Sequence, residues 1–286
     1  MTAGPVQEFH YRLPRRTAGW RPGSHSATSL GAGGELVSHM RLYDRPDPRR
    51  LDLRASLRDV RGDWLIRVSR QRGAVNVYVL VDVSASMGFG SQRPKVHVIA
   101  DFVESLGLSA WRAGDLQSLV AFDSDVREDL LVPPQAGRAI GSLMAGLLRQ
   151  CVCRSERADG VEAAALRIAG RDGLVFLASD FHWPAGLLER TLDRLAHACV
   201  VPMVVWDPAE VHPPSRDGLL ILRDAESQAT RALWIRPGLR RRWLEAVERR
   251  RAELETTLLR RGIRPFYVEG EFDHEAMSRY FLEAAA

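Results

Sequence analysis

Lysine is almost missing from this chain: of 40 basic side chains only Lys95 is a lysine, and the rest are arginines. Acidic residues number 36, so the formal net charge is only +4. A nucleic-acid footprint would need the arginines gathered on one face. The densest runs, LRRRWLEAVERRRAELE and LLRRG, mix them with glutamates at helical spacing, the pattern of a solvated helix face. Cysteine is scarce too, with three residues, two of them in CVC (Cys151 and Cys153). That is too few for a disulfide framework, and no C-x-x-C pair is present for zinc. Long apolar runs are absent: the longest near the centre, Cys199 to Trp206, has eight residues and contains Pro202, against roughly 20 needed to span a bilayer. The opening MTAGPVQEFHYRLPRR lacks the apolar core of a secretory signal. The expectation is a cytoplasmic protein with no nucleic-acid partner and no direct membrane insertion. Threonine is missing as well, from Thr28 all the way to Thr191.

What is present is an ordinary core-forming composition, 45% hydrophobic and 27% charged. Residues 1–40 are rich in Gly, Pro, Arg and Ser, with GAGG at 31–34, and read as an irregular arm. Residues 41–74 predict a short helix and then a strand, so 1–74 is expected to form an extension. From Val75 the pattern becomes regular. Apolar, β-branched runs at 75–82, 118–122, 174–179, 199–206 and 263–268 alternate with helix-like stretches at 94–112, 137–150, 159–171, 185–197 and 239–261. In the first of these stretches Val96, Ala100, Val103, Leu106 and Ala110 recur at three- and four-residue steps, which makes one buried stripe. GLLILRD (218–224) and TRALWI (230–235) look like an inserted β-hairpin. Alternating strands and helices predict an α/β domain over 75–285, with a mostly parallel sheet covered on both faces.

Chemistry concentrates where the first regular strand ends. VYVLVDVSASMGFG places Asp82, Ser84 and Ser86 at alternate positions directly after an apolar run, and LVFLASD puts Asp180 at the end of a later strand. In open parallel sheets, ligands bind outside the carboxyl ends of the strands where strand order reverses. Carboxylates and hydroxyls with no nearby imidazole or thiolate suit a hard divalent cation such as Mg²⁺. A plainer role is also open, in which Ser84 and Ser86 only cap the following helix.

D-x-S-x-S after the first strand, with an aspartate ending the fourth, resembles the metal-ion-dependent adhesion site (MIDAS) of von Willebrand factor A domains. Upstream, GAGGE, DPRRLDLRAS and WLIRVSRQR followed by DVSASM resemble family 58 of the domains of unknown function, A-type proteins associated with MoxR-type AAA+ ATPases. HYRLPRR, DPRRLDLRASLRD and VYVLVDVSASMGF are similar to the group linked to methanol-oxidation gene clusters. The resemblance implies a doubly wound six-stranded sheet in the order 3-2-1-4-5-6, with an antiparallel edge strand near 126–132. It also implies a non-enzymatic adaptor that works with a MoxR-type ATPase in maturation of a client enzyme such as methanol dehydrogenase. Carried over by position, Ser84 and Ser86 would contact the metal, while Asp82 and Asp180 would hold metal-bound waters. The threonine that completes the family's site has no counterpart here: the matching loop reads CRSERADGVEAAAL, where Ser155 or Asp159 is the candidate substitute. Otherwise the site is degenerate and binds partners without metal.

A competing reading compares DVSAS with phosphotransferases of the haloacid dehalogenase type, in which Asp82 would attack phosphorus. Ser84 then stands where the general acid/base belongs, a loss worth about 10²–10⁴ in rate. Phe181, His182 and Trp183 follow Asp180 directly. They are expected either to rim the site for a partner or to anchor a loop before Pro184. In DPRR, Asp47 and its arginines are expected to form an internal clamp or a docking surface.

Overall fold

The computed structural model describes residues 6–11, 13, 22–31, 35–44, 46–155, 157–184, 186–223 and 230–284. Its chain divides into two units, Arg15–Val75 and Met1–Pro14 with Asn76–Ala286. In the smaller unit, β1 (Pro22–Gly31), β2 (Glu35–Arg41) and β3 (Leu65–Gly73) form an antiparallel sheet in the order β1-β3-β2. A four-residue helix, α1 (Leu53–Ser56), precedes β3. The irregular arm expected over residues 1–40 is therefore corrected: β1 and all but the last residue of β2 lie within it. PGSHSATSLG has no apolar alternation of its own, and its extended form comes from pairing with β3. Asp52 caps α1 by accepting from Ala55 N at 3.0 Å. It also accepts from Arg67 Nε at 2.7 Å and faces His39 Nε2 at 3.1 Å. Arg67, the Ala55 amide and His39 together hold its carboxyl well below the usual range. Asp47 pairs with Arg50 at 3.0 Å, a local ion pair within DPRR.

The larger unit is built on six strands: β4 (Asn76–Asp82), β5 (Leu116–Phe122), β6 (Val132–Gln135), β7 (Leu174–Ser179), β8 (Cys199–Trp206) and β11 (Phe266–Glu269). They lie in the order β11-β8-β7-β4-β5-β6. Counted within this sheet, that is 3-2-1-4-5-6, the von Willebrand factor A-like arrangement. All pairs are parallel except β5 with β6. The edge strand carries Pro133 and Pro134, tolerable where one side of the ladder is open, and it lies slightly later than the expected 126–132. The hairpin is present as β9 (Gly218–Arg223) and β10 (Thr230–Ile235). Helices α2 (Lys95–Ala113), α3 (Ile140–Gln150), α4 (Val161–Ile168), α5 (Leu187–Arg194), α6 (Pro208–Val211), α7 (Pro237–Leu259) and α8 (His274–Ala284) complete the unit.

The interior strands are buried on both faces, as the continuous apolar runs require. The stripe on α2 is buried as expected, joined by Val98, Ile99 and Phe102. Phe9, from the amino-terminal segment, is also core: its ring meets those of Phe102, Phe176 and Phe272. Because β5 and β7 flank β4 on opposite sides, strand order reverses at β4. The chain leaves that switch point at Asp82.

Helices α2 and α3 touch backbone to backbone. A Cβ added at Gly107 would stand 2.3 Å from the Gly141 Cα, well inside van der Waals contact. Gly107→Ala is therefore expected to destabilise the protein in urea unfolding by about 1–3 kcal/mol from overpacking. The better helix propensity of alanine, worth about 1 kcal/mol, offsets only part of this. An unchanged or raised midpoint would show that the helices separate freely.

Candidate functional site

Asp82 ends β4 inside the protein, 1% exposed. Its Oδ1 accepts from the Ser84 amide at 2.9 Å, an Asx-type turn that swings the chain off the strand. Its Oδ2 accepts from Ser179 Oγ at 2.7 Å and from Trp183 Nε1 at 3.1 Å. The Ser179 bond ties the end of β7 directly to the end of β4, so the two strand ends meet. Beyond the turn, the Ser84 and Ser86 hydroxyls stand 3.3 Å apart. Neither serine caps a helix through its side chain: the short 3₁₀ turn over Ala85–Gly88 has no side-chain cap bond.

Asp180 is equally buried but differently compensated. Lys95 Nζ donates to its Oδ2 at 2.8 Å and to Glu210 Oε1 at 2.9 Å. The lysine lies in the first turn of α2, where the helix dipole disfavours a cation, so the two carboxylates must hold it there. Glu210 is positioned in turn by a capping box at the start of α6. There Asp207 N donates to Glu210 Oε2 at 2.9 Å, and Asp207 Oδ2 accepts from Ser91 N at 2.8 Å. The loops after β4, β7 and β8 are thereby laced together by charge-assisted bonds.

The two buried aspartates are driven apart in acidity. Burial first, and then the charge of Asp180, push the Asp82 carboxyl up to about 6, against hydrogen bonds from Ser84 and Ser179. Burial would raise Asp180 too, but His182 and the Lys95 ammonium hold it well below the usual carboxylate range. Lys95 is itself raised by Asp180 and Glu210 although burial lowers it. The shifts are opposite because the Lys95 ammonium favours the ionised form of Asp180, whereas buried Asp82 has only neutral donors and feels the charge of Asp180.

Asp82 is thus bonded to the Ser84 amide, the Ser84 and Ser86 hydroxyls are neighbours, and Asp180 carries Lys95 on one of its oxygens. Both candidate loop ligands make bonds within the loop itself. Asp159 is engaged by Arg157, and Ser155 Oγ donates to Arg157 O at 3.3 Å. The loop reaches the turn through its backbone instead, with Ser155 O accepting from Ala85 N at 2.7 Å. Of the expected rim, only His182 is at the surface. Phe181 and Trp183 are 2% and 8% exposed; at the left-handed φ of 55° of Phe181 these two rings turn inward while His182 between them faces out. Their rings meet at 4.8 Å, and the Trp183 indole is spent on Asp82. The nucleophile reading of Asp82 meets the same obstacle, since both its oxygens already accept from protein donors in a closed space. Among the described residues no group of three or more His, Cys, Asp or Glu side chains could hold a metal ion, so any cation here needs the serine hydroxyls. Lys95 and Glu210 were missed from sequence; their signals were a lone lysine among 40 basic residues and a D-P-A-E capping box.

An uncharacterised protein of Mycobacterium tuberculosis is 25% identical over 264 residues, 90% of this chain and 81% of its own length. A Mycobacterium bovis protein matches equally. BatB from Bacteroides thetaiotaomicron aligns with a TM-score of 0.41 at 14% identity, over 74% of this chain and 99% of that one. Proximal thread matrix protein 1 from the mussel byssus, with a zinc-occupied MIDAS motif, aligns with a TM-score of 0.36 at 16% identity, over 46% of this chain and 38% of that one. The family model described as protein of unknown function DUF58 matches residues 39–253, well over half of the chain. With that match added to the D-x-S-x-S turn and the strand order, this chain belongs to the DUF58 family.

Proposed function

We propose that the chain is a non-enzymatic adaptor whose Ser84–Ser86 turn docks a carboxylate of a protein partner through a divalent cation, Mg²⁺ by the hardness of its donors. The observation that carries this reading is the hydroxyl pair 3.3 Å apart beside Asp82 at the switch-point strand. Two neighbouring ligands of an octahedral ion at about 2.1 Å lie roughly 3.0 Å apart, so the pair is nearly at ligand spacing. Charge supports it as well. Lys95 answers Asp180 and Glu210, whereas Asp82 meets only neutral donors, and once ionised it lacks a counter-charge. Ser84 and Ser86 would hold the ion directly and Asp82 through water, with Asp180 contributing long-range charge. A bound cation supplies the missing positive charge and an open coordination position. The protein's own part is to keep the hydroxyls oriented and to bury Asp82 where its charge is felt strongly.

By family resemblance the proposed partners are a MoxR-type AAA+ ATPase and a client enzyme such as a methanol dehydrogenase, in the cytoplasm. The direct test is retention of the host's MoxR-type ATPase on the immobilised chain. Retention is expected in Mg²⁺, with release by EDTA and loss in Ser84→Ala/Ser86→Ala. Retention indifferent to chelator and to both serines would sink the reading.

Millimolar Mg²⁺ is also expected to raise the melting temperature of the wild type but not of the double serine variant. A hundredfold excess over Kd corresponds to about 2.7 kcal/mol, and equal responses would mean that the turn holds no ion. Lys95→Met probes the other half of the crevice. It leaves Asp180 buried without its ammonium partner, for an expected loss of about 3–5 kcal/mol in urea unfolding at neutral pH. A depressed carboxyl contributes stability above its unfolded pKa and loses it below, so the deficit should shrink as acid protonates Asp180. A deficit that is small at pH 7, or independent of pH, would show that Lys95 is not the counter-charge.

A further inference from the structure

A cavity of about 420 Å³ opens beside the crevice, between α7, the β9–β10 hairpin and the ends of β7 and β8. Helix α7 supplies one wall from Trp243, Ala246, Val247 and Arg250, positions that share one face of a helix. Trp206 and Leu233 stand among the other lining residues. The volume lies within the range of ligand pockets, about 300–1,000 Å³, and suits one or two large side chains.

The polar atoms around this cavity are mostly committed elsewhere. Trp206 Nε1 donates to Asp180 O at 3.0 Å and Trp243 Nε1 to Glu210 O at 2.7 Å, which leaves the indole carbons to form the lining. Glu210 brings a carboxylate, but Lys95 and the Asp207 amide occupy its two oxygens. Arg250 is anchored by donation to Phe181 O, the carbonyl of the residue with left-handed φ. A guanidinium has five N–H donors in a fixed fork, so anchoring through one nitrogen orients the group without exhausting it. The cavity therefore combines an aromatic and aliphatic lining, the His182 imidazole, a neutralised acid and one oriented cation.

We propose that this cavity receives a bulky apolar side chain of a protein partner, with a carboxylate of the adjoining residue paired to Arg250. The inference goes beyond the cation-bridged docking above and does not depend on it, because Asp82, Ser84, Ser86 and Asp180 are not among the cavity's lining residues.

Fluorescence anisotropy on the full chain in EDTA tests it, with three labelled hexapeptides, Gly-Ser-Phe-Asp-Gly-Ser and its Phe-Asn and Ala-Asp counterparts. The Phe-Asp peptide is expected to bind roughly tenfold or more tighter than either, as a charge-assisted hydrogen bond or a buried ring would give. Val247→Trp, which fills the cavity, should abolish that advantage. Ala246→Leu narrows it from an exposed position and serves if the first variant misfolds. Arg250→Gln should erase the preference for Asp over Asn while keeping Phe over Ala. Equal binding of the three peptides, no saturable binding at millimolar peptide, or indifference to the cavity-filling variants would overturn the proposal. Because no divalent cation is present, failure here leaves the Ser84–Ser86 reading standing, and the reverse also holds.

Discussion

Two carboxylates buried at adjacent strand ends cannot both carry charge without compensation, and the crevice of this protein is organised around that constraint. Lys95 compensates one of them. Its ammonium sits between Asp180 and Glu210, so the chain's single lysine serves as an internal counter-ion. Arginine would fit poorly there, because a compact ammonium on a flexible stem fits a closed space between two acids better than a planar fork does. Asp82 is left to neutral donors, and its carboxyl is accordingly pushed up to about 6. The asymmetry between the aspartates is the physical basis for the cation proposed at one end of the crevice, opposite the built-in ammonium at the other.

The fold makes the meeting of these groups unavoidable. Strand order reverses at β4, so helices leave the sheet to opposite faces and a cleft remains at the carboxyl ends of the strands. Into that cleft the end of β4, the loop after β7 and helix α6 after β8 each contribute an acid, Asp82, Asp180 and Glu210. The short loop 180–183 then serves both neighbouring features. Asp180 faces Lys95, Trp183 turns in to Asp82, and His182 and the Phe181 carbonyl lie towards the cavity under α7. Left-handed backbone at a bulky residue costs of order 1–3 kcal/mol and persists only where surroundings impose it. Here Ser179 Oγ, which accepts from Phe181 N, and Arg250 hold it from both sides.

Much of this architecture was legible in the residues. The strands of the large sheet, the stripe on α2 and the hairpin all announce themselves through periodicity, because burial on one or two faces leaves a local imprint. The alternation of Asp82, Ser84 and Ser86 at a strand end was equally plain. Other features left no such imprint. The strand Pro22–Gly31 has no apolar rhythm and exists through its partner. Phe181 and Trp183 looked like rim residues until the backbone turned them inward. Asp159 looked like a replacement ligand, yet Arg157 two residues away claims it.

Composition and local pattern alone determined an α/β chain whose oxygen-bearing turn follows its first buried strand, since such signals depend only on neighbours within a few residues. Tertiary structure alone decided where the charges go. Lys95 reaches Asp180 across 85 positions and Glu210 across 115, and Trp183 reaches Asp82 across 101. Pairings at that distance arise from how strands are ordered and helices packed, and no periodicity in the sequence encodes them.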